Sequence, residues 1–380
     1  ADAQINALRN GDLRRDMSKY LYQHSLKQQY ALNLNGGNNK YTYYFSAGFD
    51  KNRNSEKGNA FNRVSLNSNQ VFRPMEKLEL SAGLSYNQNS QSASNVISML
   101  SNMGQELMYP YASLVNADGS AAIVTKDYSN IFKSSALKLG LLDWNFRPLD
   151  ELNYQNNHFK QSEFRLSTGI KYIFLPQLSA EARFQWENQL GKRRNFNDQD
   201  SYMVRDLINR YTVISNGAVN RNLPLGGILD YTSSELTALN GRFQLNYDQK
   251  WGKHQFNAIA GFEARQVKSN SNSNRLYGFD PNVGSSIAVN YLIDYPVYGK
   301  GYTQKIPYLD DFNQTLERLR SYYFNGAYNF DLRYILSLSA RIDQSNLFGV
   351  NTNQKSVPLW STGLKWNIHK EAFYNIDWLS

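Results

Sequence analysis

Apolar residues recur at every second position over long stretches of the chain. Phe164, Leu166, Thr168, Ile170, Tyr172 and Phe174 share one face of a segment, and Glu163, Arg165, Ser167, Gly169 and Lys171 share the other. Leu178, Ala180, Ala182, Phe184 and Trp186 alternate in the same way with Ser179, Glu181, Arg183, Gln185 and Glu187. Further copies run from Tyr41 to Phe49, Leu78 to Tyr86, Phe243 to Tyr247, Phe256 to Phe262, Tyr322 to Phe330 and Tyr334 to Ile342. Alternation of this kind marks half-buried strands, and helical spacing fits none of these segments. The chain reads as almost entirely β.

The alternation also fixes register. A three-residue loop at Leu175-Pro176-Gln177 sets Phe174 opposite Leu178 and Leu166 opposite Trp186. On the polar face it sets Lys171 opposite Glu181 and Arg165 opposite Glu187. A two-residue loop at Gly252-Lys253, with Gly first as a type II′ turn prefers, sets Phe243 opposite Phe262 and Arg242 opposite Glu263. Unlike charges directly across a ladder stabilise it modestly, so the two turns are mutually supported.

Short turns near 36–40, 73–77, 175–177, 252–253 and 331–333 alternate strictly with longer connections near 51–58, 88–157, 189–233, 267–318 and 344–356. A soluble sandwich has no reason to gather every long loop at one end. An outer-membrane barrel does, with short periplasmic turns and long extracellular loops. The expected fold is all-β, a transmembrane antiparallel up-and-down β-barrel whose polar face lines the lumen. Trp186, Tyr86 and Phe262 near the long loops, and Tyr172, Phe174 and Trp251 near the short turns, suit interfacial aromatic girdles.

Composition narrows the alternatives. With no cysteine, disulfides and thiolate metal sites are excluded. No apolar run is long enough for a transmembrane helix, which leaves strands as the means of crossing. Ala1 to Tyr20 are polar and lack a signal-peptide pattern, so a mature chain or a piece of one is expected. The net charge of +9 is dispersed, and with charged residues at 19% it makes no nucleic-acid footprint.

Gly36-Gly37 with Tyr41 to Ser46, Tyr109 to Ala112, Arg205 to Asn209, Leu223 to Gly227 and Arg341 to Asp343 form short runs that, taken in order, resemble the SusC/RagA class of TonB-dependent outer-membrane transporters. Gly36-Gly37 followed by Tyr41-Thr42-Tyr43-Tyr44-Phe45-Ser46 resembles its entry hairpin. Tyr109-Pro110-Tyr111-Ala112, with Asn116, Asp118 and Gly119, resembles its first long-loop motif. Arg205-Asp206-Leu207-Ile208-Asn209 and Leu223-Pro224-Leu225-Gly226-Gly227 resemble the next loop. Arg333 to Ser337, Arg341-Ile342-Asp343, Phe348-Gly349, Trp366 and Glu371-Ala372-Phe373 continue the match in order. Gln344 and Val357-Pro358-Leu359 depart from the family pattern in detail.

The resemblance implies a barrel of about twenty-two strands with a plugged lumen, of which about eleven strands are present here. Residues 1–27 are then expected as a lead-in segment from a missing plug, and 28–380 as a partial barrel without its C-terminal half. The implied function is import of oligosaccharides or oligopeptides across the outer membrane of a Gram-negative bacterium. A SusD-like surface lipoprotein and, through the missing N-terminal region, the TonB complex are the implied partners. The alternative is a transporter-like barrel serving as a structural scaffold among further outer-membrane proteins. A soluble β lectin would leave the loop asymmetry unexplained.

Candidate chemistry is sparse. No nucleophile elbow, zinc-protease motif or P-loop occurs, so neither an enzyme nor a cofactor is expected. His24, His158, His254 and His369 are scattered without ligand partners at motif spacing. Asn195 to Asp200 offers closely spaced oxygens but lacks the glycine and terminal glutamate of a calcium loop. Arg165 with Glu187, Lys171 with Glu181 and Arg242 with Glu263 are expected as lumen-wall ion pairs. Tyr109, Tyr111, Trp144, Phe146 and Tyr154 in the longest connection are candidates to stack on sugars or grip a peptide. The competing reading has them packing the loop against its neighbours. Asp310 and Asp311 are expected in solvent.

Overall fold

The computed structural model describes residues 11–102, 106–107, 109–346 and 356–374. Phe348 and Gly349 of the family-like run, the start of the 1–27 segment and most of the last long connection lie outside them. Eleven antiparallel strands form one sheet in strict chain order. They are β1 (Leu26–Gly37), β2 (Tyr41–Arg53), β3 (Ala60–Met75), β4 (Leu78–Ala93), β5 (Gln155–Leu175) and β6 (Leu178–Asn197). They continue with β7 (Gly227–Trp251), β8 (His254–Phe279), β9 (Asp311–Phe330), β10 (Tyr334–Ser345) and β11 (Ser356–Trp366). Among the described residues the sheet does not close: β1 and β11 are its two edges. No helix among the described residues is long and apolar enough to cross a membrane.

The outer face is continuous across all eleven strands because every register preserves parity. Leu32, Ala47, Leu66, Tyr86 and Phe164 stand opposite one another in turn from β1 to β5. Leu166, Trp186 and Leu239 carry a row onto β7, and Phe243, Phe262, Tyr322 and Ile342 carry another from β7 to β10. Leu66, Ile170, Phe243, Tyr322 and Trp360 are exposed on this face, where only lipid makes such a surface stable.

Two aromatic rows bound the belt. Near the short turns Trp251 stacks on His254, which leans on Phe330 at 5.0 Å, and Tyr334 stacks on Trp366. Toward the long loops Phe164 meets Trp186 at 5.5 Å and Phe262 meets Tyr322 at 5.0 Å.

Most expected turns hold. Gly252 takes a φ of +53°, which the first position of a type II′ turn requires, and Trp251 pairs with His254. The turn at Pro176-Gln177 is one residue shorter than expected. Phe174 does not face Leu178; Leu175 takes that place and the ladder shifts between Ile173 and Leu175. Phe174 packs edge-on against Tyr172 at 4.9 Å instead, while Leu166–Trp186, Lys171–Glu181 and Arg165–Glu187 keep their register.

The strands run further past the belt than the alternation predicts. β7 and β8 reach 25 and 26 residues, although about 9–11 residues cross a bilayer. Ser269 to Asn274 is polar on both faces, so no period-2 signal survives there, yet it pairs with β7 throughout. Above the membrane neither face meets lipid, and backbone pairing alone continues the strand.

The hydrophobic core lies above the wall. Helices α1 (Asn130–Lys138), α2 (Pro148–Tyr154) and α3 (Tyr202–Arg210) belong to the connections 94–154 and 198–226. Leu13, Met17, Leu21, Leu114, Trp144, Phe146 and Tyr202 are buried in one cluster, and Val204, Ile208, Tyr211, Leu223, Tyr277 and Ile306 in a second. Three connections therefore fold as a cap at the long-loop end. Residues 12–21 join it: Leu13 N–H donates to Pro110 O, and Asp16 accepts from Ser113 Oγ and Leu114 N at 2.9 Å.

Candidate functional site

On the polar face Arg165 meets Glu187 at 3.2 Å and its strand neighbour Glu163 at 2.8 Å. The other two expected pairs stand in register but exchange partners. Lys171 is opposite Glu181, yet Glu181 binds Arg183 on its own strand and Arg242 at 3.8 Å on β7. Glu263, opposite Arg242, accepts instead from Asn240 Nδ2 at 2.9 Å. The physical reason lies in the next strand over: Arg242 also stands opposite Arg183, and two like charges in register draw the nearest carboxylate between them. Glu79, Arg183, Asn240, Arg242 and Glu263 border a cavity of about 590 Å³ on this face.

The cap turns on helix α3. Ser201 caps it, its Oγ accepting from Val204 N, and Glu151 Oε1 accepts from Tyr202 N at 2.7 Å. Arg205 reaches Asp200 O at 3.0 Å, Asn145 O at 3.1 Å and Asp143 O at 2.5 Å, a planar fork satisfying three carbonyls in two connections. Asn209, fully buried, accepts from Leu142 N and donates to Leu142 O. Asp206 accepts from Trp144 Nε1, and Tyr202 donates to Asp127. From the third connection, Lys305 O accepts from Tyr211 at 2.6 Å. Gly226, at a φ of +123°, leaves no room for a Cβ because the backbone of Gly278 would lie 2.7 Å from it.

Burial shapes the titration of this network. It pushes the carboxyls of Asp206 and Glu151 up, against the hydrogen bonds from Trp144 and the Tyr202 amide. Burial also lifts the Tyr128 hydroxyl to about 12 and lowers the Lys133 ammonium. Asp143 goes the other way. Its burial would raise it, but the Arg147 hydrogen bond, the Asn145 amide and the charges of Arg147 and Arg205 hold it low.

The candidate loop aromatics separate. Trp144 and Phe146 are 1% and 0% exposed, so neither ring is presented for stacking; Tyr128, Phe132 and Tyr298 surround Trp144, and Tyr202 meets Phe146 edge-on. This corrects their expected binding role: a connection of this length needs its own core, and these rings supply it. Tyr154 is half-buried, and Tyr109 and Tyr111 are 43% and 58% exposed. Asp310 accepts from Arg275 N at 3.2 Å. Among the described residues no group of three or more His, Asp or Glu could hold a metal ion. Residue pattern alone does not mark the clamp of Arg205, Asp143, Glu151 and Asn209 as a site, although Arg205 to Asn209 is one of the family-like runs.

No protein-family model matches the chain. The TonB-dependent receptor P39 of Formosa agariphila is 21% identical over 365 residues, covering 94% of this chain and 30% of that protein. The RagAB peptide transporter superposes with a TM-score of 0.70 at 18% identity, covering 98% of this chain and 37% of that one. The RagAB peptide importer in its open-open state gives 0.69 at 17%, covering 96% and 36%. The chain thus spans about a third of the length of these relatives. Its strand order, loop asymmetry and similarities make it a stretch of outer-membrane barrel wall with the fold of the SusC/RagA-type TonB-dependent transporters.

Proposed function

We propose that the chain supplies wall and surface loops to a TonB-dependent transporter that imports oligosaccharides or oligopeptides beneath a SusD-like surface lipoprotein. One observation carries this reading. A polar, ion-paired face with its own cavity lies under a cap that is folded rather than loose, as a selective mouth over a conduit requires. Energy would come from the TonB complex through a plug, with residues 28–380 as partial barrel and 1–27 as its lead-in. Tyr109 and Tyr111 remain the aromatic candidates for contact with the imported molecule. The test is uptake by cells carrying the complete gene product, with glycans set against peptides. Loss of uptake on deleting the TonB box supports import, and unchanged uptake overturns it.

A second reading, a scaffold within a larger outer-membrane assembly, is favoured by the burial of Trp144 and Phe146, which gives part of the loop a purely architectural role. It requires the complete protein to lack a TonB box and plug.

A further inference from the structure

High on the polar face, β4, β5 and β6 present two adjacent rows. Ala93, Asn157 and Asn195 form the upper one, and Gln91, Phe159 and Arg193 the lower. Together with Asn95 they border a cavity of about 320 Å³. Asn157 is only 7% exposed, yet neither atom of its carboxamide finds a hydrogen-bond partner among the described residues. Buried amides are almost always satisfied, so an orphaned one beside a cavity points to something that enters it.

Arg193 supplies the second observation. Its guanidinium lies over the Phe159 ring at 5.5 Å, and no carboxylate pairs with it among the described residues. The carboxylate in the next column, Asp230, is already held by Arg275 through two bonds of 2.5 and 2.7 Å. Asn157 lies eighteen residues above Leu175 on β5. That is about 60 Å along the strand and about 45 Å along the membrane normal, well above an apolar band of about 25 Å. Lipid tails therefore do not fill the pocket.

We infer that this pocket recognises a carboxylate on an acidic oligomer. Arg193 pairs with the carboxylate, stacked on Phe159 so that its donors are pre-aimed, and the carboxamides of Asn157 and Asn195 take the hydroxyl or amide groups beside it. The inference deepens the import reading, on which it rests for the identity of the visitor. A peptide and a uronic-acid oligosaccharide share this chemistry.

The test uses the complete transporter purified from outer membranes, titrated calorimetrically with tetraglutamate and trigalacturonate. Tetraglutamine and trigalactose serve as neutral counterparts. One acidic probe should bind at least about tenfold tighter than its counterpart, a difference of about 1.4 kcal/mol, and the preference should shrink with salt. The winning probe identifies the source of the carboxylate. Arg193→Gln, at an exposed position, should erase the preference, and Asn195→Asp should weaken acid binding by occupying Arg193. Equal binding of acidic and neutral probes, no binding of either acid, or a preference that survives Arg193→Gln overturns the site. Uptake is scored separately in cells. Acid preference without uptake leaves the pocket standing and overturns transport, whereas uptake without acid preference does the reverse.

Discussion

Trp144 donates its indole N–H to Asp206 Oδ1 at 2.9 Å, joining the connections 94–154 and 198–226 through two residues 62 apart in sequence. Trp144→Phe keeps most of the packing but leaves a buried carboxylate short of a donor. The expected cost is about 1–3 kcal/mol of cap stability. Limited proteolysis should show faster nicking within 94–154, while the heat-resistant mobility of the barrel stays unchanged.

The same carboxyl gives the cap a pH dependence. Asp206 and Glu151 have pKa values raised by burial, so the folded cap holds protons that the unfolded chain has released. Their penalty is full above the raised values and disappears as pH falls toward the ordinary carboxylate range of about 4. Asp143, held low, acts oppositely and loses its contribution only at more acidic pH. The cap should therefore be more stable in mild acid than at neutrality. Hydrogen exchange of cap amides, corrected for intrinsic rates, reads this directly, and Asp206→Asn should flatten part of the trend.

Arg205→Lys retains the charge and loses the fork. A lysine ammonium cannot reach three divergent carbonyls in the same plane, so the connections 94–154 and 198–226 should loosen together, at a cost of about 2–4 kcal/mol. Proteolytic sites opening in both connections at once would confirm the coupling. Opening in one alone would argue against it.

Wall ion pairs should matter far less. Arg165 and Glu187 are 42% and 20% exposed at the side chain, and Arg165 retains Glu163. Glu187→Gln is expected to shift unfolding in urea by no more than about 1 kcal/mol.

Tyr109→Ala with Tyr111→Ala should leave the cap folded, since both rings are exposed, and should lower the affinity of the complete transporter for its imported molecule. Unchanged affinity would remove them as contacts.

Legibility in the sequence followed the environment of each segment. Where one face meets lipid and the other a polar interior, as from Phe164 to Phe174, alternation reports both strand and register, and Arg242 opposite Glu263 could be read in advance. Where neither face meets lipid, as from Ser269 to Asn274, the strand continues without a signature. Contacts between neighbouring hairpins were equally hidden: pairing two hairpins separately cannot reveal that Arg183 also stands opposite Arg242, which is what rearranged the ion pairs. Within the cap, Trp144 and Tyr109 carry the same aromatic signal. Only their position relative to Asp206 and helix α3 distinguishes a core ring from an exposed one.

The two aromatic rows of the outer face have a consequence for the host membrane. Phe164 and Tyr172 on β5, Phe262 and His254 on β8, and Tyr322 and Phe330 on β9 are each eight residues apart. Eight residues span about 27 Å of strand, or about 20 Å of bilayer normal at the tilt usual for such barrels. Rings that prefer the headgroup level thus act as a gauge set on several staves at once. Lipid around this wall must thin to meet it, and bilayers of longer acyl chains should insert or retain the protein less well than short-chain ones.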